Sequence, residues 1–292
     1  MVDEANAIPI KDMTRKEIRT VADLIEVVHA WEQKSHPVGK GYPPVWYRGH
    51  ADASWDLQPT VLRKWFLDYA AQADFRFPQA ANLVNIENTI NNQFRRMATS
   101  LLPSTATIVD IYFLAQHHGI PTRLLDWTAD ALAALFFAVC CEPEKDGMIH
   151  TINPRFLIPD INNPQYPRDV VNIRHSLVSG TIQFLFDEGA SPRTTFILPI
   201  YPDLRAGRML QQVACFTLHM PPLPFSGREG PTEPIHKLTG VESYLVSRTA
   251  KKQLLLDLRR VGKNYATLFP DLDNVAREIR TAWELYPPQD SR

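Results

Sequence analysis

One stretch limits what this chain can fold into more than any other: Ile111–Ala138, IYFLAQHHGIPTRLLDWTADALAALFFA. Its two ends are apolar enough to be buried helices. His117-His118-Gly119 predicts the end of the first helix, with Gly119 free to take the left-handed C-cap position. Ile120-Pro121 then blocks continuation, because proline lacks an N–H and disfavours helix at the residue before it. The connection Thr122–Thr128 reads as a short buried strand or loop, and it carries polar groups at four of its seven positions. Asp126 or Thr128 is expected to cap a second helix over Ala129–Cys141. Polar groups this close to a core must be paired or used, so this turn is the first place to look for a site.

The bulk properties exclude several classes. The 292 residues suffice for one large or two modest domains, and 45% hydrophobic with 22% charged content fits a globular chain with a sizeable core. A formal net charge of −1 supplies no global basic field for nucleic acid. No apolar run approaches the ~20 residues of a membrane span, which predicts no membrane partner. The opening residues lack the basic-then-apolar order of a secretory leader. With only three cysteines, no disulfide framework is expected, and the location predicted is cytoplasmic. Twenty-four prolines against twelve glycines predict rigid loops and no glycine-rich phosphate cradle. Cys140, Cys141 and His150 have no metal-ligand spacing, so no metal is expected. G-x-S-x-G, Walker and HExxH patterns do not occur.

In chain order, residues 1–13 read as a loose arm, 14–286 as a single domain and 287–292 as a polar tail. A helix is predicted over Lys16–Glu32, with Ile18, Val21, Leu24, Ile25, Val28 and Trp31 on one face. Val45-Trp46-Tyr47 is a short β-prone run stopping at Arg48-Gly49-His50. Asn82–Leu102 reads as a long helix, with Phe94, Met97 and Leu101 inward and Arg95 and Arg96 outward. Strands are predicted at Gly147–Asn153, Thr194–Tyr201, Met209–Met220 and His236–Val246. A Pro-rich loop is expected over Pro221–Pro234, and helices over Lys251–Val261 and from Pro270 to about Leu285. Helices cluster early and strands late, which favours an α+β fold with helices around a mostly antiparallel sheet.

Four pieces then stand in order: Tyr47-Arg48-Gly49-His50, Trp55-Asp56-Leu57-Gln58-Pro59-Thr60, His117–Thr128 and Thr267–Leu272. Together they resemble the FRG domain, named for its aromatic-Arg-Gly motif, from about Val21 to Leu272. The chain departs from that pattern in two places. Ala129-Asp130-Ala131 stands where the family usually has Asn-Pro. Gln212-Val213-Ala214-Cys215-Phe216 keeps the Gln and Phe of a Gln-x-Gly-x-Phe pattern but not its Gly.

A more distant resemblance, to ADP-ribosyltransferases of the Arg-Ser-Glu kind, implies a split sheet and a mechanism. Arg48 on an early strand, Thr128 before a helix and Gln212 on a late strand follow the order of those catalytic residues, with Gln in place of Glu. Tyr47, Arg48, Gly49, His50, His118, Thr122, Arg123 and Asp126 then become candidate NAD contacts. In such chemistry an Arg holds the NAD pyrophosphate or ribose through its planar fork of donors. A carboxylate stabilises the cation that develops on the ribose. Gln212 supplies hydrogen bonds but no charge, and Glu188 and Glu242 are the late carboxylates that could replace it. The implied function is an ADP-ribosyltransferase-like effector, a toxin or phage-defence protein, acting on a protein or nucleic-acid acceptor. The alternative is a non-catalytic ligand-binding, nucleic-acid-binding or sensor module.

The residues also have plainer readings. Arg48 serves equally as an anion-binding residue or as a structural cation paired with a carboxylate such as Asp126. Arg123 and Asp126 could form a buried pair that fixes the turn. Trp127 reads as core. Arg95-Arg96, Lys251-Lys252 and Arg259-Arg260 read as solvated helix faces.

Overall fold

A computed structural model describes residues 17–35, 45–73, 79–158, 167, 169–187, 196–202, 211–220 and 240–285. The expected arm at 1–13, the Pro-rich segment 221–234, Glu188 and the tail lie outside these.

The architecture is α+β, as the order of elements predicts. The strands are β1 (Glu17–Ile18), β2 (Trp46–His50), β3 (Leu124–Thr128), β4 (Gly147–Ile152), β5 (Val171–Asn172), β6 (Phe196–Tyr201), β7 (Ala214–Met220) and β8 (Val241–Val246). They form one open mixed sheet in the order β1-β8-β4-β2-β3-β7-β6-β5. Only the outer pairs β1/β8 and β5/β6 are parallel. The register shows a weak seam at the centre. β2 pairs with β4 from Trp46↔Ile152 to His50↔Met148, and β3 pairs with β7 from Leu124↔Leu218 to Thr128↔Ala214. Between β2 and β3 the ladder is the single pair Tyr47↔Thr128. Two well-paired blocks are therefore hinged at one point and diverge beyond it.

Helices α1 (Val21–Ser35), α5 (Ala131–Val139) and α7 (Arg248–Arg260) cover the first block, burying Leu24, Val27, Phe136 and Leu254 with Tyr47 and Ile149. Helices α4 (Ile108–His117) and α6 (Ser176–Phe184) cover the second, burying Tyr112, Phe113 and Ile182 with Phe216 and Leu218. A third cluster of Trp46, Leu57, Leu125, Trp127 and Ile152 fills the opposite face. Helices α2 (Lys64–Ala73), α3 (Gln79–Ala98), α8 (Tyr265–Leu268) and α9 (Leu272–Leu285) complete the described set.

Several expectations are corrected. Glu17–Ile18 is an edge strand, and α1 begins at Val21, where the Thr20 and Asp23 side chains and backbone N–H groups cap each other. Its buried stripe is Leu24, Val27 and Trp31, while Ile25 is exposed. Phe94 packs inward, but Met97, still within α3, and Leu101 are exposed; the helix gives way to a 3-10 turn over Thr99–Leu101, which takes Leu101 off the predicted stripe. Strand β2 runs through Arg48-Gly49-His50 instead of stopping there. The cap of α5 is neither Asp126 nor Thr128, both of which lie in β3; Asp130 accepts from the Leu132 and Ala133 N–H groups. Lys251 is buried and not a solvated surface lysine; its ammonium donates to the Ala51, Cys141 and Glu142 carbonyls at 2.6, 3.2 and 2.8 Å. Gly119 does take a left-handed conformation, φ 78°, at the end of α4.

Candidate functional site

The seam between β2 and β3 opens into a cavity of about 280 Å³. β2 contributes Tyr47, Arg48 and Gly49, and β3 contributes Asp126, Trp127 and Thr128. Phe113, Gln116 and His117 come from α4, Phe137 from α5, Ala214 and Phe216 from β7, with Gln212 just before it and Phe269 just after α8. The volume lies at the lower edge of ligand pockets, which span roughly 300–1,000 Å³. Aromatic rings make most of the apolar wall. Arg48 and Asp126 bring its opposite charges.

Arg48 spans the seam. Its Nη1 donates to the Asp126 carbonyl at 2.5 Å and lies 3.6 Å from the Asp126 carboxylate, and its Nε donates to His50 Nε2 at 3.1 Å. The guanidinium thus bridges where the backbone ladder stops. Burial lowers the Arg48 pKa, and the nearby Asp126 charge partly offsets this. Among the described residues Nη2 makes no hydrogen bond, so part of the donor fork is left over beside the cavity.

Asp126 is positioned by a relay. Thr122 Oγ1 donates to Gln116 Oε1, and Gln116 Nε2 donates to Asp126 Oδ2 at 2.9 Å. The Asp126 side chain remains 52% exposed, which suits a carboxylate that meets a ligand better than one that holds a core together.

Thr128 and Gln212 close the far side. Thr128 Oγ1 donates to the Gln212 carbonyl at 2.5 Å and accepts from the Asp130 N–H at 2.9 Å. Gln212 Nε2 donates to the Leu268 carbonyl at 2.9 Å. Both side chains therefore join β3, β7 and α8. The next residue, Val213, has φ 43°, a left-handed conformation that costs a β-branched side chain energy.

Gly49 is required by packing. A Cβ there would overlap the Ala134 carbonyl oxygen and sit 2.8 Å from the Ala138 nitrogen, so β2 and α5 approach as closely as only glycine allows.

The structure gathers Tyr47, Arg48, Gly49, Asp126, Thr128 and Gln212 at one cavity and places the other four candidates elsewhere. His50 is buried against His150 and Trp55. Burial, with Arg48 and His150 beside it, depresses its pKa to about 2, so the ring is neutral. His118 is the exposed cap of α4, and His117 lines the cavity in its place. Thr122 is buried behind Gln116.

Arg123 is fully buried and pairs with Glu87 on α3, not with Asp126 as anticipated. Its Nε donates to both Glu87 oxygens at 2.8 and 3.1 Å. Glu87 lies 36 positions upstream with no local pattern to mark it. Glu242 accepts from Tyr244 on β8 at 2.5 Å and is not among the cavity's residues. The aromatic lining is Phe113, Phe137, Phe216 and Phe269; Phe216 and Phe269 belong to the family-like motifs, whereas Phe113 and Phe137 carry no signal beyond helical spacing, which reads as core.

The stretch of residues 43–147 matches the family model described as FRG domain. It holds β2 and β3, α4 and α5, and hence the Arg48 and Asp126 sides of the cavity; Gln212 and Phe269 lie beyond it. No curated protein and no solved structure matches the chain.

Among the described residues no helix is long and apolar enough to cross a membrane, and no group of three or more His, Cys, Asp or Glu side chains could hold a metal ion.

Proposed function

We propose that the seam cavity binds an anionic nucleotide, NAD first, and that its reaction class is ADP-ribosyl transfer. The observation that carries this reading is convergence. Residues far apart in sequence, Arg48, Asp126 and Gln212, meet at one aromatic-walled cavity where the sheet divides. The unused Nη2 of Arg48 would take a phosphate or ribose oxygen. A phenylalanine face would stack on nicotinamide. Cleavage of the nicotinamide–ribose bond builds positive charge on the ribose, and Asp126 is the carboxylate of this cavity that can stabilise it. The amide of Gln212 cannot supply that charge. An acceptor side chain or nucleic-acid group would then attack the ribose carbon as nicotinamide leaves, a chemistry that would suit a toxin or phage-defence effector.

The test is nicotinamide release and ADP-ribose incorporation with labelled NAD, beside isothermal binding, for the wild type, Arg48→Ala, Asp126→Asn and Gln212→Ala. The reading requires Asp126→Asn to abolish turnover with binding kept. Wild-type protein that neither binds nor consumes NAD would overturn it.

One observation favours a second reading, a binding or sensor module without catalysis. Thr128 and Gln212 spend their hydrogen bonds on each other, on Asp130 and on Leu268. NAD binding with no nicotinamide release would favour that reading.

A further inference from the structure

A second cleft, of about 660 Å³, lies where α5 ends, between α7 and α9. Cys140, Cys141, Pro143 and Glu144 form one side, α7 adds Arg248, Lys251, Lys252 and Leu255, and Tyr265, Arg277, Arg280 and Thr281 close it. Five cations thus face one carboxylate, in a chain whose formal net charge is −1. Among the described residues Arg248, Lys252, Arg277 and Arg280 form no ion pair; the arginines nearby that do are Arg259, with Glu278, and Arg260, with Asp257. Unpaired cations around a concave surface focus a positive field into it.

The cleft also holds a nucleophile. Cys141 is exposed, with its Sγ 3.6 Å from Cys140 Sγ and 3.8 Å from Arg277 Nη2. Arg277 is held in place by stacking on the Tyr265 ring, 4.0 Å from its centroid.

We propose that this cleft is a binding and modification site for anionic disulfides, with Cys141 as the attacking thiolate and Arg277 and Arg280 as the anion-holding side chains.

The hydrogen bond shared with Cys140 and the Arg277 charge, opposed by partial burial, lower the Cys141 pKa, which favours its thiolate. The bond to Cys141 and burial push Cys140 up, and it stays a thiol. In the reaction the Cys141 thiolate attacks one sulfur of the incoming disulfide. A mixed disulfide forms, the original S–S bond breaks, and the other half leaves as a thiolate. The protein sulfur is oxidised and the departing half reduced, with no other oxidant.

Cys140 is a poor resolving thiol. Adjacent residues hold their Cα atoms about 3.8 Å apart, below the roughly 4.4–6.8 Å that disulfides usually span, so a Cys140–Cys141 bond would be strained and readily reduced. Removal of the adduct by an external thiol is therefore favoured.

The experiment uses the full chain with three probes: glutathione disulfide (anionic), bis(2-hydroxyethyl) disulfide (neutral) and cystamine (cationic). Intact mass and peptide mapping follow the adduct with time. The expected site is Cys141, with the anionic probe roughly tenfold or more faster than the cationic one. Raising salt should shrink that ratio. Cys141→Ser should abolish labelling. Arg277→Gln with Arg280→Gln should markedly shrink the charge preference while the neutral probe still reacts, which shows the fold intact. Labelling at Cys140 or Cys215 instead, or equal rates for the three probes, would overturn the proposal.

Discussion

Replacing Glu87 by alanine decides whether Arg123 belongs to the core or to the site. The Arg123 side chain is 0% exposed and the Glu87 side chain 2%. Arg123 donates through Nε to both carboxylate oxygens and through Nη2 to Oε2. Removing one partner of such a pair strands a buried charge, at about 3–5 kcal/mol. A domain stabilised by roughly 5–15 kcal/mol would lose on the order of two to three and a half decades of its folding constant. Urea unfolding followed by tryptophan fluorescence would show the midpoint falling at similar slope. The double variant Arg123→Leu with Glu87→Leu should recover most of the loss, because it leaves no uncompensated charge. A loss under about 1 kcal/mol in Glu87→Ala would refute the assignment. So would a double variant no more stable than the single one.

Further outcomes follow from the same structure. Gly49→Ala forces a Cβ into the Ala134 carbonyl; it should lower the melting temperature by several degrees or abolish soluble expression, at a cost of about 1–3 kcal/mol. Asp130→Ala removes the α5 cap and the Lys263 ion pair and should cost about 1 kcal/mol or more. Val213→Gly relieves the left-handed β-branched residue and should raise the unfolding midpoint, whereas a marked fall would mean that the Val213 side chain matters more than the strain. Burial holds His50 at about 2 and His219 at about 3, against an unfolded value near 6.5. The unfolded chain then binds more protons, so this contribution is complete above pH ~6.5 and is lost as pH falls below it, at about 1.4 kcal/mol per unit per histidine. Comparing unfolding at several pH values between 4 and 7, His219→Gln should flatten the slope, and an unchanged slope would count against it.

Local chemistry was legible in the residues themselves. Proline after Ile120 and a left-handed Gly119 end α4 wherever the chain goes next. The β-prone run Val45-Trp46-Tyr47, and the strand-rich second half, set the fold class before any contact is known. The long-range pairings were not legible. Arg123 and Asp126 are three positions apart and of opposite charge, which suggested a pair. Yet β3 is a strand, and Asp126 accepts from Gln116 and faces Arg48, whereas Arg123 reaches Glu87 on α3. Likewise the spacing that sets Leu101 inward assumes an unbroken helix to Leu102, and the 3-10 turn at Thr99 takes it out; Met97 is exposed within α3 itself, because no described element covers that side of the helix end.

The sequence by itself therefore determined the α+β class, the breaks around the 117–128 turn and the motif that marks the FRG domain, because backbone sterics and side-chain periodicity act over a few residues. Only the tertiary structure decided that β2 and β3 share one ladder pair, that Arg48 crosses the gap, and that Gln212 and Phe269 close the cavity behind it. Those contacts depend on which strands become neighbours, a choice set by the burial of three separate apolar clusters, and no local pattern records it.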